Sequence, residues 1–208
     1  MREALERYGP LIEDDADRAW LRAAAGSDAA AWAGELGREI DRTGLAVERN
    51  VLRYRPLPGV TVRAGEGASA AELVRVLLAA ELAGTPVRVS LAPALASALE
   101  GGDAAAPGGG DERAEAWRHL ERLVDAVETP YQLVARVRSG GVAGGTRVRV
   151  IGDEAATLPA TLVTEPVTVI APPVLATGRR ELLTLLREQA VSRTLHRFGH
   201  LPADRESP

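Results

Sequence analysis

The sequence predicts an α/β fold: a mainly parallel, doubly wound sheet with helices on both faces, an edge-strand extension and a helical N-terminal segment. Three observations predict it. Short β-branched runs alternate with helical periods through the second half of the chain, the pattern of βαβ units. The stretch SAAELVRVLLAAELAG, residues 69–84, is an apolar-faced helix with a start and a stop signal, set between two strand-like runs. The composition, 46% hydrophobic and 26% charged, is that of an ordinary folded domain.

Taken in order, residues 1–44 read as a helical, peripheral connector. Leu11, Ala16, Trp20 and Leu21 form one stripe, and Ala29, Trp32, Ala33 and Leu36 another; Ser27 and Asp28 occupy an N-cap position between them, and Gly37 a stop. Residues 45–55 alternate in part and end at Pro56, which predicts a strand; 60–63 is a second. In the helix over 69–84, Leu73, Val76, Leu77 and Ala80 share one face and Gly84 closes it. Residues 86–91 predict the next strand, 101–112 a glycine-rich loop and 111–123 a helix. A short strand at 124–128 precedes Thr129-Pro130, a cap followed by proline at the first helical position, which starts a helix over 130–138. Glycines at 140–145 mark a tight loop before strands at 147–151 and 167–171. The last helix is predicted over 179–190, with Leu182, Leu183, Leu186 and Ala190 on its apolar face, and 192–198 as an extended basic tail. The division expected is 1–44 connector, 45–200 domain, 201–208 disordered tail.

Several chemistries are excluded by composition. The chain has no Cys, so it forms no disulfide and offers no thiolate nucleophile or Cys-ligated metal. All its basic residues are Arg, which removes Schiff-base and P-loop lysines. Its 25 basic and 29 acidic residues give a net charge of −4, and no basic stripe is interleaved with aromatics, so no nucleic-acid partner is expected. Apolar runs fall short of the ~20 residues that span a bilayer, and MREALERYGP lacks an apolar signal core. A cytoplasmic protein is expected.

One motif resembles a nucleotide fingerprint. Gly65-Glu66-Gly67-Ala68-Ser69-Ala70 fits G-x-G-x-x-A between a strand and a helix. Gly65, Gly67 and Ser69 are its candidate cofactor contacts. Against it, Glu66 sets a carboxylate where a pyrophosphate would lie, no acidic residue ends the following strand, and Ser69 with Glu72 already forms a capping box. The histidines, His119, His196 and His200, show no i, i+4 ligand pair, and Asp14, Asp15 and Asp17 suit a helix N-terminus better than a cation. No catalytic residue or metal ligand is expected in this chain.

The stretches GLAVERNVLRYRP (44–56), VTVRAGEGASAAELVRVLLAAELAGTPVRVS (60–90) and ELLTLLREQAVSRTLHRFG (181–199) resemble the C-terminal region of actinobacterial L-glutamate γ-semialdehyde dehydrogenases and of long proline utilization A proteins. The ending from Leu186 to Gly199 carries the resemblance most specifically, and the likeness runs over residues 12–200. It implies a Rossmann-like, non-catalytic domain of the aldehyde dehydrogenase superfamily with a β-flap and a terminal docking motif. That region follows a catalytic domain holding the Cys nucleophile and NAD, and helps cover the cavity through which the semialdehyde passes. On this resemblance the chain is a fragment of a proline-catabolic enzyme, binds no cofactor itself, and leaves NAD to the parent. Its partner is the catalytic aldehyde dehydrogenase domain, in the same chain or in trans. The docking candidates are Arg187, Gln189, Ser192, Arg193, His196, Arg197 and Phe198, on a tail that pairs with a partner. The plainer alternative makes that tail an edge strand of the domain's own sheet. Two further readings stand beside this one: a nucleotide-binding module using residues 65–70, and a homo-oligomer joined through exposed edge strands.

Overall fold

A computed structural model describes residues 2–101, 109–143 and 145–195. Helix α1 (Arg2–Tyr8) passes through a 3-10 turn (Gly9–Leu11) to α2 (Asp15–Ala31), which continues as a π-helical turn over Trp32–Leu36. Asp14 caps α2, its carboxylate accepting from the N–H of Ala16 at 2.7 Å and of Asp17 at 3.0 Å, so this acidic cluster satisfies a helix start. Ser27 and Asp28 do not begin a second helix. They lie inside α2, and apart from Leu11, which sits in the preceding 3-10 turn, both predicted apolar stripes belong to one continuous rod. The segment is not peripheral either: Leu11, Ile12, Leu21 and Leu36 are buried in the main core.

The chain then forms β1 (Ile40–Asp41), β2 (Glu48–Pro56), β3 (Val60–Ala64), α3 (Ala70–Ala83), β4 (Val87–Leu91), α4 (Pro93–Glu100), α5 (Gly109–Glu121), β5 (Val124–Val127), α6 (Pro130–Arg138), β6 (Arg147–Ile151), α7 (Leu158–Thr161), β7 (Thr168–Ile170), α8 (Gly178–Leu183) and β8 (Leu186–Thr194). Five strands make a parallel sheet in the order β5-β4-β3-β6-β7. Every residue of central β3 is buried, as expected of a strand covered on both faces. Helix α3 is framed as its sequence demands: Ser69 and Glu72 complete a capping box, and Gly84 ends the helix at φ +68°. Apolar side chains of α1 to α5 and α8 pack on one face of the sheet and those of α6 and α7 on the other, a Rossmann-like arrangement. Beside it stands a three-stranded antiparallel sheet in the order β1-β2-β8. Among the described residues no helix is long and apolar enough to cross a membrane.

The tail differs most from the expectation. The last helix ends at Leu183 rather than residue 190, and the strand starts at Leu186 rather than 192. The helical period of 182–190 is overridden because its terminal carbonyls find other donors. Arg147 Nη1 donates to the carbonyls of Leu183, Thr184 and Leu186, at 3.2, 2.7 and 3.2 Å. The Leu185 carbonyl accepts from Thr85 Oγ1 at 2.8 Å and from the Leu57 N–H at 3.1 Å. The residues beyond then pair with β2 through nine registered positions, from Pro56–Leu186 to Glu48–Thr194. Cross-strand pairing decides where intrinsic propensity is weak. Helix α4, opened by Pro93, has no counterpart in the sequence reading.

Helices α2 and α8 meet at Gly178, where an added Cβ would fall inside contact distance of the Asp28 and Ser27 backbone. Neither main chain can yield, so Gly178→Ala is expected to destabilise the fold by about 1–3 kcal/mol or more, measured by urea unfolding.

Candidate functional site

Two places in the fold could carry function: the crevice beyond the carboxyl ends of β3 and β6, and the β2–β8 ribbon. In an open parallel sheet, ligands bind where the strand order reverses. Here that point lies between β3 and β6. It is filled by the protein itself. The Gly65 N–H donates to the Ile151 carbonyl at 3.0 Å, tying the two strand ends together. The Asp153 N–H donates to the Glu66 carbonyl at 2.7 Å. The Glu154 carboxylate turns back into the crevice and takes a fork from Arg63, with Nε at 2.9 Å and Nη2 at 2.6 Å, and receives the Glu66 N–H at 3.3 Å.

This explains the glycines. A Cβ on Gly65 would stand 2.6 Å from the Glu154 carboxyl carbon, and one on Gly67 (φ +74°) 2.6 Å from an Asp153 oxygen. Ser69 is spent on the capping box. The cradle accommodates the chain's own carboxylates, and an entering pyrophosphate would meet Glu66, Asp153 and Glu154. Glu154, buried in a stretch without periodicity, had no sequence signal.

Arg63 is fully buried and also donates to Ser90 Oγ at 3.1 Å and the Glu128 carbonyl at 2.9 Å. Glu128 accepts from Ser90 Oγ at 2.7 Å and pairs with Arg136, which raises the Arg136 pKa. Two further arginines, also fully buried, hold carboxylates the same way. Arg75 grips Asp28 at 2.7 and 2.8 Å, and Arg149 grips Glu181 at 3.0 and 3.3 Å. Every one of these groups is paired with a protein partner, as burial of charge requires. No group of three or more His, Asp or Glu side chains among the described residues stands as a metal cluster.

The ribbon is the exposed alternative. Four of the predicted docking residues lie on β8: Arg187 opposite Arg55, Gln189 opposite Arg53, Ser192 opposite Asn50 and Arg193 opposite Arg49. Gln189 Oε1 accepts from Arg53 Nε at 2.7 Å. His196, Arg197 and Phe198 lie outside the described residues. As far as it is described, the tail strand pairs with β2 of this same chain, Ser192 opposite Asn50 and Thr194 opposite Glu48. Strand β8 does not join the main sheet. It forms the outer edge of a separate one, with no strand on its far side among the described residues.

At its root the ribbon is fixed to the domain by Arg147, Thr85 and Leu57; burial lowers the Arg147 pKa. Tyr54 packs against the core, and burial raises its pKa, helped by Glu188. Three carboxylates brace the approach to the ribbon. Glu35 is held below its usual range by its hydrogen bonds to Arg179, Glu39 by Arg53, and Asp41 by the Thr43 hydroxyl and the N–H of Gly44. Folded values below unfolded ones mean that their support is complete above the ordinary carboxylate range, about pH 4, and is lost as pH falls through the folded values. On acid titration, hydrogen-exchange protection in β1 and β2 is expected to fall before that in β3 and β4.

Among solved structures, the chain is similar to proline utilization A (PutA) from Corynebacterium freiburgense, at 31% sequence identity with a TM-score of 0.57. The match covers 93% of this chain and 15% of that protein. No family model matches the sequence, and no curated protein does.

Proposed function

We propose that this chain is a non-catalytic α/β module of an NAD-dependent L-glutamate γ-semialdehyde dehydrogenase, acting in proline catabolism in the cytoplasm. It docks on the catalytic aldehyde dehydrogenase domain through the β2–β8 ribbon and covers the substrate cavity. The observation that carries the reading is the ribbon: a strand pair fixed at its root, with β8 exposed along most of its length and, among the described residues, unpaired at its outer edge. An unpaired edge is a template for another chain. The likeness to proline utilization A supplies the metabolic setting, and the absence of Cys supports an architectural role, since aldehyde oxidation by that route begins with a thiolate. Closing a cavity keeps water from a reactive intermediate and strengthens the electrostatics within.

The module leaves NAD to its parent. The self-filled crevice supports this, and calorimetric titration of the chain with NAD should give no heat of binding; micromolar affinity would favour the nucleotide-binding alternative. The docking reading is tested with the dehydrogenase assembled with this chain, in cis or in trans, with and without residues 186–208. Removing them should lower NADH formation from pyrroline-5-carboxylate and weaken coupling of proline oxidation to glutamate release. Unchanged rates and coupling would refute the role, as would NAD reduction by the purified chain alone.

A further inference from the structure

The register of the ribbon separates its charges. Directly opposed residues share a face, so Arg49, Arg53 and Arg55 of β2 lie on one face with Arg187 and Arg193 of β8. The other face holds Glu48, Asn50, Tyr54, Glu188 and Ser192, and it is the side on which Tyr54 meets the core. Every arginine of the ribbon is therefore on the face turned away from Tyr54.

That face is unfavourable by itself. Arg55 stands directly opposite Arg187, and Arg49 opposite Arg193; like charges so placed destabilise a sheet. Two carboxylates join this side: Asp41, opposite Val51 in the register of β1, and Glu39 just before that strand. Glu39 is shared by Arg53, Arg49 and Arg55 at 2.6, 3.4 and 3.9 Å. Asp41 is taken up by the N–H groups of Thr43, Gly44 and Asn50. Among the described residues, neither Arg187 nor Arg193 has a carboxylate in reach, and both are exposed. The chain carries a net charge of −4, so this concentration of cations is not the by-product of a basic protein. Between the arginine pairs, Val51 and Val191 oppose each other, with Val51 buried.

We infer that this face is a docking surface for a carboxylate-rich stretch of a protein partner, whose carboxylates are held by the exposed pairs Arg55–Arg187 and Arg49–Arg193. The inference rests on the reading that the ribbon docks on another protein, and it names the chemistry of that partner. A guanidinium offers a fork that matches a carboxylate in two parallel bonds. Cross-strand spacings of about 5 Å and same-face spacings of about 7 Å suit carboxylates on an extended segment. Nucleic acid fits less well. Among the described residues the arginine face has no aromatic side chain on which a base could stack, and the acidic remainder of the chain repels a long polyanion.

The test titrates the full chain with poly-L-glutamate and with oligo(dT), beside the variant Arg187→Glu/Arg193→Glu and a control reversal on the helices, Arg22→Glu/Arg118→Glu. Wild type and control should bind polyglutamate more tightly than oligo(dT), with affinity falling steeply as salt is raised. The ribbon variant should lose about tenfold or more while melting at the same temperature or higher, because each new Glu faces an Arg across the ribbon. Equal binding by the ribbon variant, equal loss in the control, no binding by wild type, or preference for oligo(dT) would each overturn the assignment; the last would give the face to nucleic acid. A second arm separates this inference from the docking role. If the variant co-elutes with the catalytic dehydrogenase domain as wild type does, docking stands and the arginine face is not its site. If wild type itself fails to co-elute, the docking role falls, and the polyglutamate arm still decides what the face binds.

Discussion

Glu154→Ala is expected to destabilise the protein by about 3–5 kcal/mol, because it strands a guanidinium inside the sheet. Arg63 is fully buried at the end of the central strand, and Glu154 is its only carboxylate within ion-pair distance among the described residues. Its other acceptors are neutral: Ser90 Oγ at 3.1 Å and the Glu128 carbonyl at 2.9 Å. They cannot balance a charge that has lost its counter-ion. Arg63→Met/Glu154→Leu should recover most of the loss, since replacing both members of a buried pair by apolar groups is often neutral. Urea unfolding of the wild type, each single variant and the double gives the coupling directly. A loss under about 1 kcal/mol for Glu154→Ala would mean that water reaches Arg63, and hence that the crevice is open. The same measurement therefore bears on the proposal that this point takes no nucleotide.

Asp28→Ala should have an effect of similar size, about 3–5 kcal/mol, for a reason that spreads further through the fold. Arg75 and Asp28 are both completely buried. Arg75 also donates from Nε to the Leu175 carbonyl at 3.0 Å, and neighbouring Ser27 accepts from the Gly178 N–H at 2.9 Å. One ion pair thus clamps α2 to α3 and holds the approach to α8, from which the ribbon springs. The loss should appear in hydrogen exchange as faster opening of α2 and α8 together, ahead of β3 and β4. If α2 alone loosens, the clamp does not extend to α8.

Much of the fold can be read from the sequence because its signals are local. The β3–α3–β4 unit announces itself through a buried apolar strand, a capping box at Ser69 and Glu72, a glycine stop at Gly84 and a second apolar strand. Helix α6 follows from Thr129 and Pro130 in the same way. What could not be read depends on partners far away in the chain. Arg75 and Asp28 are 47 residues apart, Arg63 and Glu154 are 91 apart. Asp28 resembles a helix cap by type and position, yet it is the core's counter-ion. Glu154 sits among short turns with no period to flag it. The stretch 186–190 is helical by its leucine spacing and extended in fact, because β2 offers it nine residues of pairing. The family resemblance points to the docking candidates on β8, whereas their alignment with Arg49, Arg53 and Arg55 emerges only from the register. Alternation along β2 already places its three arginines on one side; the strand that completes the face lies more than a hundred positions later.

That separation has a consequence for how the protein is made. Tyr54 and its partner Glu188 are 134 residues apart, so β2 leaves the ribosome long before β8 exists. At about 5–20 residues per second the delay is on the order of ten seconds. Throughout it, a nine-residue strand with an unpaired edge is exposed to every nascent chain nearby. Its arginines repel a second copy of the same strand and act as gatekeepers against misassembly until the correct mate is synthesised.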